Sequence, residues 1–513
     1  MKEPKKSTVP LWIAVRRIYQ VFFLGLFALL LLLASNAYLE HHRHAVGLFL
    51  EADPLIALGA ALGGKVVFGG TILALVVVLL TLVFGRVFCS FICPLGILNH
   101  AVSALPSVFK RSERQKANEW RPLYQLKYYV LLALLVGAAL GVLQVGLLDP
   151  IALTVRTAAV TLLPGLQLAG VPLYAEQPSY LHGWIVGGLF VLLLFSNRLI
   201  MRFWCRALCP LGGLLGLVAR FSLFRVWRDP KVCLDCHKCN EACHGACDPH
   251  GKLRFADCVM CLNCFSACPQ SGGMRYGLLP PTPTEVASPD LGRRQTAAAL
   301  ASGVALLPVL RTSNGVLRGA AHDVIRPPGS LSEEDFAAKC VKCGLCMRAC
   351  PTSVLQPAGL QAGLEGLWSP ILRYDQGFCS HECTLCSQVC PTGAIRPVTA
   401  AERSGEPPYS EPLKLGTAFY DRGRCLPWSM ATPCIVCEEV CPTSPKAIWL
   451  EDAEVKRRDG STVKVQLPHL DPERCIGCGT CQYRCPVGTE AAIRVSSVGE
   501  SRSLDNRMLI RSY

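Results

Sequence analysis

Charge is scarce in this 513-residue chain: Asp, Glu, Lys and Arg together supply 17% of it, against 51% hydrophobic residues. Soluble domains carry about a quarter of charged residues, so the shortage excludes an ordinary fully soluble enzyme. The polar remainder excludes a chain that lies wholly in lipid. Acid is scarcer than base, 37 residues against 51, which leaves a net charge of +14. The bases crowd around apolar runs, so nucleic acid is not the partner they suggest. Histidine is scarce too, 11 in all. His41, His42 and His44 share one loop, His182 stands at the entrance of an apolar run, and His100 lies on another loop. None sits deep in a run, which excludes a bis-histidine haem inside a membrane. No small-residue cleavage site follows the first run, so a removed signal peptide is not expected. No nucleotide-binding loop, catalytic triad or paired carboxylate site stands out. Nothing here points to a group that transforms a substrate.

What is present begins with four apolar stretches, 18–35, 66–85, 128–148 and 184–200. Each is near the ~20 residues that a helix needs to cross a bilayer. Lys2, Lys5, Lys6, Arg16 and Arg17 precede the first. Lys110, Arg111, Arg114, Lys116, Arg121 and Lys127 lie between the second and third, and Arg198, Arg202, Arg206, Arg220, Arg225 and Arg228 follow the fourth. The other two loops are poor in base. Lys and Arg concentrate on the cytoplasmic side of membrane proteins, which puts the N-terminus, the middle loop and the segment after the fourth span inside. The expected fold is multi-domain: an α-helical membrane domain of four spans plus α+β ferredoxin-like domains. The expected division is 1–228 for the membrane domain, 229–278 for a cysteine-rich module, 279–330 for a linker and 331–513 for a second cysteine-rich domain.

The 29 cysteines carry the chemistry. An odd number in groups two or three residues apart does not suit a disulfide framework. Cys233, Cys236, Cys239 and Cys243 follow C-x2-C-x2-C-x3-C, as do Cys258, Cys261, Cys264 and Cys268. Cys340, Cys343, Cys346 and Cys350 repeat the pattern, and so do Cys475, Cys478, Cys481 and Cys485. Two arrays are irregular: Cys379, Cys383, Cys386 and Cys390, and the long-gap set Cys425, Cys434, Cys437 and Cys441. Pro follows the last cysteine in every array but the first. Three close thiolates on a curled loop reach three irons of one cubane, and the fourth usually serves the partner cluster. The arrays therefore predict [4Fe–4S] clusters, six in number. On that rule Cys268 completes the set of Cys233, Cys236 and Cys239, and Cys243 that of Cys258, Cys261 and Cys264. For the second domain the expected pairing is first array with fourth and second with third, since the regular arrays are the outer ones. Zinc would favour two separated C-x2-C knuckles. Cys233-Leu-Asp-Cys236-His237 matches a haem-attachment motif, but it lies inside a complete array. Cys247 is left over, either an alternative to Cys243 or a spare thiol.

Cys89 and Cys93 form a C-x3-C-P pair after the second span, and Cys205 and Cys209 form another after the fourth. With Asp53-Pro54 and Asp149-Pro150 they suggest an internal repeat of two helical hairpins. The four thiols read as a metal site or a redox-active set, or as packing residues in a tight turn.

Spans, paired C-x3-C-P motifs and a two-array module together resemble the membrane ferredoxin NapH of periplasmic nitrate reductase systems and its methylamine-utilisation relative MauN. The stretch Ile325 to Pro351 and the long-gap array Cys425 to Cys441, with its tail to Ile448, resemble the MauM/NapG ferredoxins. The two resemblances cover most of residues 10–495, as though a NapH-type and a NapG-type protein were fused. They imply an electron-transfer subunit of the inner membrane, with quinol as donor and a periplasmic reductase, dehydrogenase or cytochrome as partner. NapG-type proteins carry a twin-arginine export signal, and Arg293-Arg294 before the apolar run Thr296 to Leu310 resembles one. It departs from the pattern in Gln295-Thr296-Ala297 and in being internal. Export would put the module of 229–278 in the cytoplasm and the domain of 331–513 in the periplasm. A short cytoplasmic linker helix is the alternative. Quinol would bind near the outer span ends, with His41, His42, His44 and His182 as candidate proton acceptors. The competing reading is a biogenesis or redox-sensing accessory protein.

Overall fold

A backbone in hydrocarbon must satisfy its own polar groups, so apolar runs become helices. The computed structural model describes residues 11–34, 47–65, 69–105, 119–171, 178–251, 253–270, 272–278, 292–317, 324–457, 460–488, 490–503 and 506. The labelled helices are α1 (Leu11–Leu33), α2 (Pro54–Gly64), α3 (Thr71–Phe84), α4 (Pro94–Ala104), α5 (Leu126–Ala139), α6 (Pro150–Leu168), α7 (Gly183–Leu199), α8 (Pro210–Ala219) and α9 (Arg293–Leu317).

Among the described residues, three helices are long and apolar enough to cross a membrane: α1, Pro122–Ala139 (which contains α5) and α6. This differs from the four spans expected. The second and fourth stretches form the shorter apolar helices α3 and α7. The third stops at Ala139, where Gly141 at φ 87° turns the chain. Helix α6 was not foreseen because Thr154, Arg156, Thr157 and Pro164 break its apolar run. The hydroxyls of Thr154 and Thr157 donate to carbonyls one turn back, Pro150 O at 2.6 Å and Leu153 O at 2.9 Å. They thereby satisfy themselves and cost the helix little.

The chain divides into two units, one of 1–32, 45–158 and 184–308, the other of 33–44, 159–183 and 309–513. In the first unit the hairpin repeat is real. Asp53 and Asp149, both fully buried, cap α2 and α6 by accepting from Leu55 N at 2.7 Å and Ile151 N at 2.9 Å. Cys93 and Cys209 stand at the N-caps of α4 and α8, each with Pro in the first turn. The repeated string is longer than C-x3-C-P: R-x2-C-x3-C-P-L-G runs over 86–96 and again over 202–212. The cysteine-rich module closes with the antiparallel pair β1 (Phe224–Arg228) and β2 (Met274–Leu278). It rests on α8 at Gly216, where a Cβ would stand 2.8 Å from Ala256 O. Only glycine lets the two backbones approach so closely.

Helix α9 packs along α5 in the same direction. Tyr129 Oη lies 2.6 Å from Gln295 Oε1, and Gly303 faces Ala133 and Val136, where a Cβ would come within 2.9 Å of Ala133 O. In the second unit the strands form small antiparallel pairs: β3 (Leu355–Pro357) with β4 (Pro370–Leu372), β5 (Thr417–Tyr420) with β8 (Ile493–Ser496), and the hairpin β6 (Ile448–Lys456) with β7 (Thr462–Leu470).

Candidate metal centres

The four regular arrays share one backbone device. The second and fourth residues after the first cysteine are left-handed: Asp235 and His237, Met260 and Leu262, Lys342 and Gly344, Gly477 and Gly479. Two left-handed residues in alternation curl the chain so that its N–H groups turn inward, a nest for an anion. Five of the eight carry a Cβ... and a residue that is not glycine costs about 1–2 kcal/mol in that conformation. Something inside the first three curls must repay that cost. At Gly479 there is no choice, since a Cβ would fall 2.0 Å from the Tyr374 ring.

Sulfurs gather across arrays. In the first unit one cavity is lined by Cys233, Cys236, Cys239 and Cys268. Cys243 lies with Cys258, Cys261 and Cys264, whose charges it feels. Both groupings are the ones expected. The Cys247 thiol lies 3.3 Å from the sulfur of Cys243. The contact with Cys247 lowers the Cys243 thiol from its ordinary value, and the same contact raises that of Cys247.

In the second unit the expected pairing fails. Cys350 joins Cys379, Cys383 and Cys386 around one cavity, and Cys390 stands with Cys340, Cys343 and Cys346. Cys485 joins Cys425, Cys434 and Cys437, and Cys441 stands with Cys475, Cys478 and Cys481. The arrays thus pair first with second and third with fourth. The short helices Leu345–Ala349 and Leu385–Gln388 pack together, as do Val436–Glu439 and Thr480–Arg484. The two pairs meet where Cys379 N donates to Cys478 O at 2.9 Å and Tyr374 Oη to Gly477 O at 2.5 Å. The four groups therefore form a row, with those of Cys379 and Cys478 in the middle.

These groups fit cubanes. Backbone amides of Ile395, Ala418 and Ala492 donate to the sulfurs of Cys390, Cys475 and Cys485 at 3.4, 3.5 and 3.4 Å. Burial pushes the thiol of Cys340 up to about 11 and that of Cys343 to about 12. Thiols held that high ionise only against a positive centre, so deprotonation and metal binding are linked. Arg403 is fully buried, with Nη2 3.5 Å from the sulfur of Cys379. A cation there favours the more negative, reduced state. Arg403→Gln is expected to lower the midpoint potential of that one centre by on the order of 50–100 mV. An EPR-monitored redox titration in which no potential moves would refute the role.

Sequence reasoning missed a second group of residues. Arg16, Arg86, Lys127, Arg202 and Arg206 are all buried. Four of them had served only as markers of the cytoplasmic side. Arg16 donates to Cys261 O and Arg86 to Ala256 O, the latter at 3.0 Å. Arg206 donates to His244 O at 2.9 Å and Lys127 pairs with Asp257 at 2.6 Å. They bind the loops that carry the sulfurs. Their burial was the signal, and burial is not visible in the sequence. Among the histidines, His182 lies against Gly359 in the second unit. His100 packs on His244 with ring centroids 4.7 Å apart. His41, His42 and His44 fall outside the described residues.

The chain is similar to known proteins in both halves. A family model described as a 4Fe-4S binding domain matches residues 66–112 and 181–230, and one described as a 4Fe-4S dicluster domain matches 339–394 and 432–489. The methylamine utilization ferredoxin-type protein MauM of Methylorubrum extorquens is 34% identical over 34% of this chain and 74% of its own length. MauM of Paracoccus denitrificans is 35% identical over 39% of this chain and 82% of its own. The ferredoxin-type protein NapG of Escherichia coli is 34% identical over 41% and 87%. No solved structure matches.

Proposed function

The chain belongs to the MauM/NapG family of ferredoxin-type electron-transfer proteins, and on that premise we propose that it carries electrons from membrane quinol to a redox partner in the periplasm. In this reading the first 278 residues are a NapH-type membrane partner fused to it. The six cross-array sulfur groups hold six [4Fe–4S] clusters, two on the cytoplasmic side and four outside. Each cluster, when bound, supplies a one-electron site.

The observation that carries the reading lies in the second unit. The loop before α7 docks on the domain of 331–513: Tyr180 Oη donates to Met347 O at 3.1 Å, beside Cys346. Gln356 Nε2 donates to Ser179 O at 2.8 Å and its Oε1 accepts from Leu181 N at 3.2 Å. The loop of Tyr180 is one of those poor in base, hence external by the charge rule. The direction of α9, parallel to α5, supports the same side: both helices leave a basic N-terminal end, Arg121 and Lys127 for one and Arg293 and Arg294 for the other. The residues between these points act by position. Tyr180 and Gln356 hold the outer loop at the Cys346 end of the row, and quinol oxidised to quinone beside that loop would release two protons to water and pass its two electrons one at a time to the nearest centre without crossing the bilayer.

The test is protease protection in intact spheroplasts. The region 331–513 is expected to be digested from outside while the module of 229–278 survives until lysis. If both survive until lysis, the periplasmic route is wrong.

A further inference from the structure

We propose that Cys89, Cys93, Cys205 and Cys209 ligate a further iron–sulfur cluster, set between the buried guanidinium groups of Arg86 and Arg202. The assignment does not depend on the quinol route.

The repeat brings the four thiols together. Cys93 lies within electrostatic reach of Cys89 and Cys205, and Cys209 within reach of the other three. Three of the four are buried, and Cys89 is partly so. Each C-P-L-G turn closes through its glycine. A Cβ on Gly96 would stand 2.2 Å from Cys89 O, and one on Gly212 would stand 2.9 Å from the guanidinium of Arg86.

Every sulfur meets a donor. Arg86 Nη2 lies 3.8 Å from Cys89, Asn99 Nδ2 3.4 Å from Cys205 and Gly212 N 3.2 Å from Cys209. The Gly96 amide serves Cys93 in the equivalent place. Asn99 is not free to turn its carbonyl to the sulfur, because its Oδ1 accepts from Asn197 Nδ2 at 2.7 Å. Each sulfur thus has a donor placed to stabilise the thiolate it would become on ligation.

Charge points the same way. Arg86 and Arg202 are 1% and 0% exposed, and among the described residues neither forms a salt bridge. Arg202 donates to Cys89 O at 3.3 Å and Gly96 O at 3.0 Å, so it spans the first turn from the second repeat. Asp257, whose charge reaches Arg86, is already taken by Lys127. Two buried cations without an anion would cost several kcal/mol each. A cluster core of charge about +2 held by four thiolates carries about −2, which two guanidiniums balance. The thiols give up their protons on ligation. Among the described residues, no three of these sulfurs lie within 4.8 Å of one another. That is wider than tetrahedral zinc, whose ~2.3 Å bonds draw its sulfurs to about 3.8 Å. The site adjoins the sulfur group of Cys258: Ser90 Oγ donates to Val259 O at 2.5 Å, and Arg86 to Ala256 O.

The test uses the full chain, purified anaerobically in detergent. Iron and acid-labile sulfide are expected to approach seven clusters per chain, about 28 of each. The variant C89S/C93S/C205S/C209S should lose about four iron and four sulfide and keep the rest. Six clusters in the wild type with one zinc per chain, or with these cysteines found as disulfides, would overturn the proposal. Should the fourfold variant fail to insert, Arg202→Gln keeps all four thiols. It should leave the iron content unchanged and lower the midpoint potential of one cluster. Unmoved potentials would count against the assignment.

Discussion

Cys390→Ser is expected to cost the protein a cluster whose other ligands are Cys340, Cys343 and Cys346, not the cysteines nearest to it in sequence. Cys346 lies within electrostatic reach of Cys390 as well as of Cys340 and Cys343, and the Cys390 sulfur accepts from Ile395 N at 3.4 Å. Cys350 makes the reciprocal crossing to Cys379, Cys383 and Cys386. Each single variant should lose up to about four iron per chain. Iron counts alone do not say which cluster went, but Arg403 does. It lies on the Cys379 sulfur while only its longer-range charge reaches Cys478 of the neighbouring centre, so the largest potential shift caused by Arg403→Gln marks the Cys379 centre. The shift should persist in the Cys390→Ser background and vanish with Cys350→Ser. A shift that persists in both backgrounds would restore the pairing of first array with fourth and second with third, and a shift lost with Cys390→Ser would leave each array its own fourth cysteine.

Lys127→Met is expected to destabilise the first unit by about 3–5 kcal/mol, the cost of leaving a buried charge without its partner. The side chains of Lys127 and Asp257 are 2% and 7% exposed, with Nζ 2.6 Å from Oδ1. Asp257 immediately precedes Cys258, so an unpaired carboxylate there seeks water and unseats the loop that carries Cys258, Cys261 and Cys264. Thermal release of iron should start at lower temperature for that module. The double variant K127M/D257L should recover much of the loss, because an apolar pair of similar volume removes both charges. A single variant as stable as the wild type would show that the pair does not seat the module.

The reach of sequence reasoning follows from what spacing encodes. Three cysteines in seven residues, with left-handed positions between them, form a local curl, and every regular array showed it. The crossing of Cys243 and Cys268 was legible for the same reason: only two arrays lie in that module, so each has one possible partner. With four arrays in 331–513 the partner is chosen by packing between short helices far apart in sequence. The expected order therefore failed there. The repeat of C-x3-C-P was visible, but not that Arg86 and Arg202 belong to it, because burial turns a basic residue from a marker of membrane side into a counter-charge. Helix α6 was hidden because hydropathy counts threonine as polar, whereas a threonine bonded to its own helix costs little.

By itself, then, the sequence pointed to the cysteine arrays, the [4Fe–4S] chemistry and the apolar helices, since each depends on residues a few positions apart or on composition. The tertiary structure decided which sulfurs gather together, which cations face them and which loop meets the domain of 331–513. Those are contacts between segments up to about 250 residues apart, formed only when burial makes an unpaired charge or an idle hydrogen-bonding group too costly to leave.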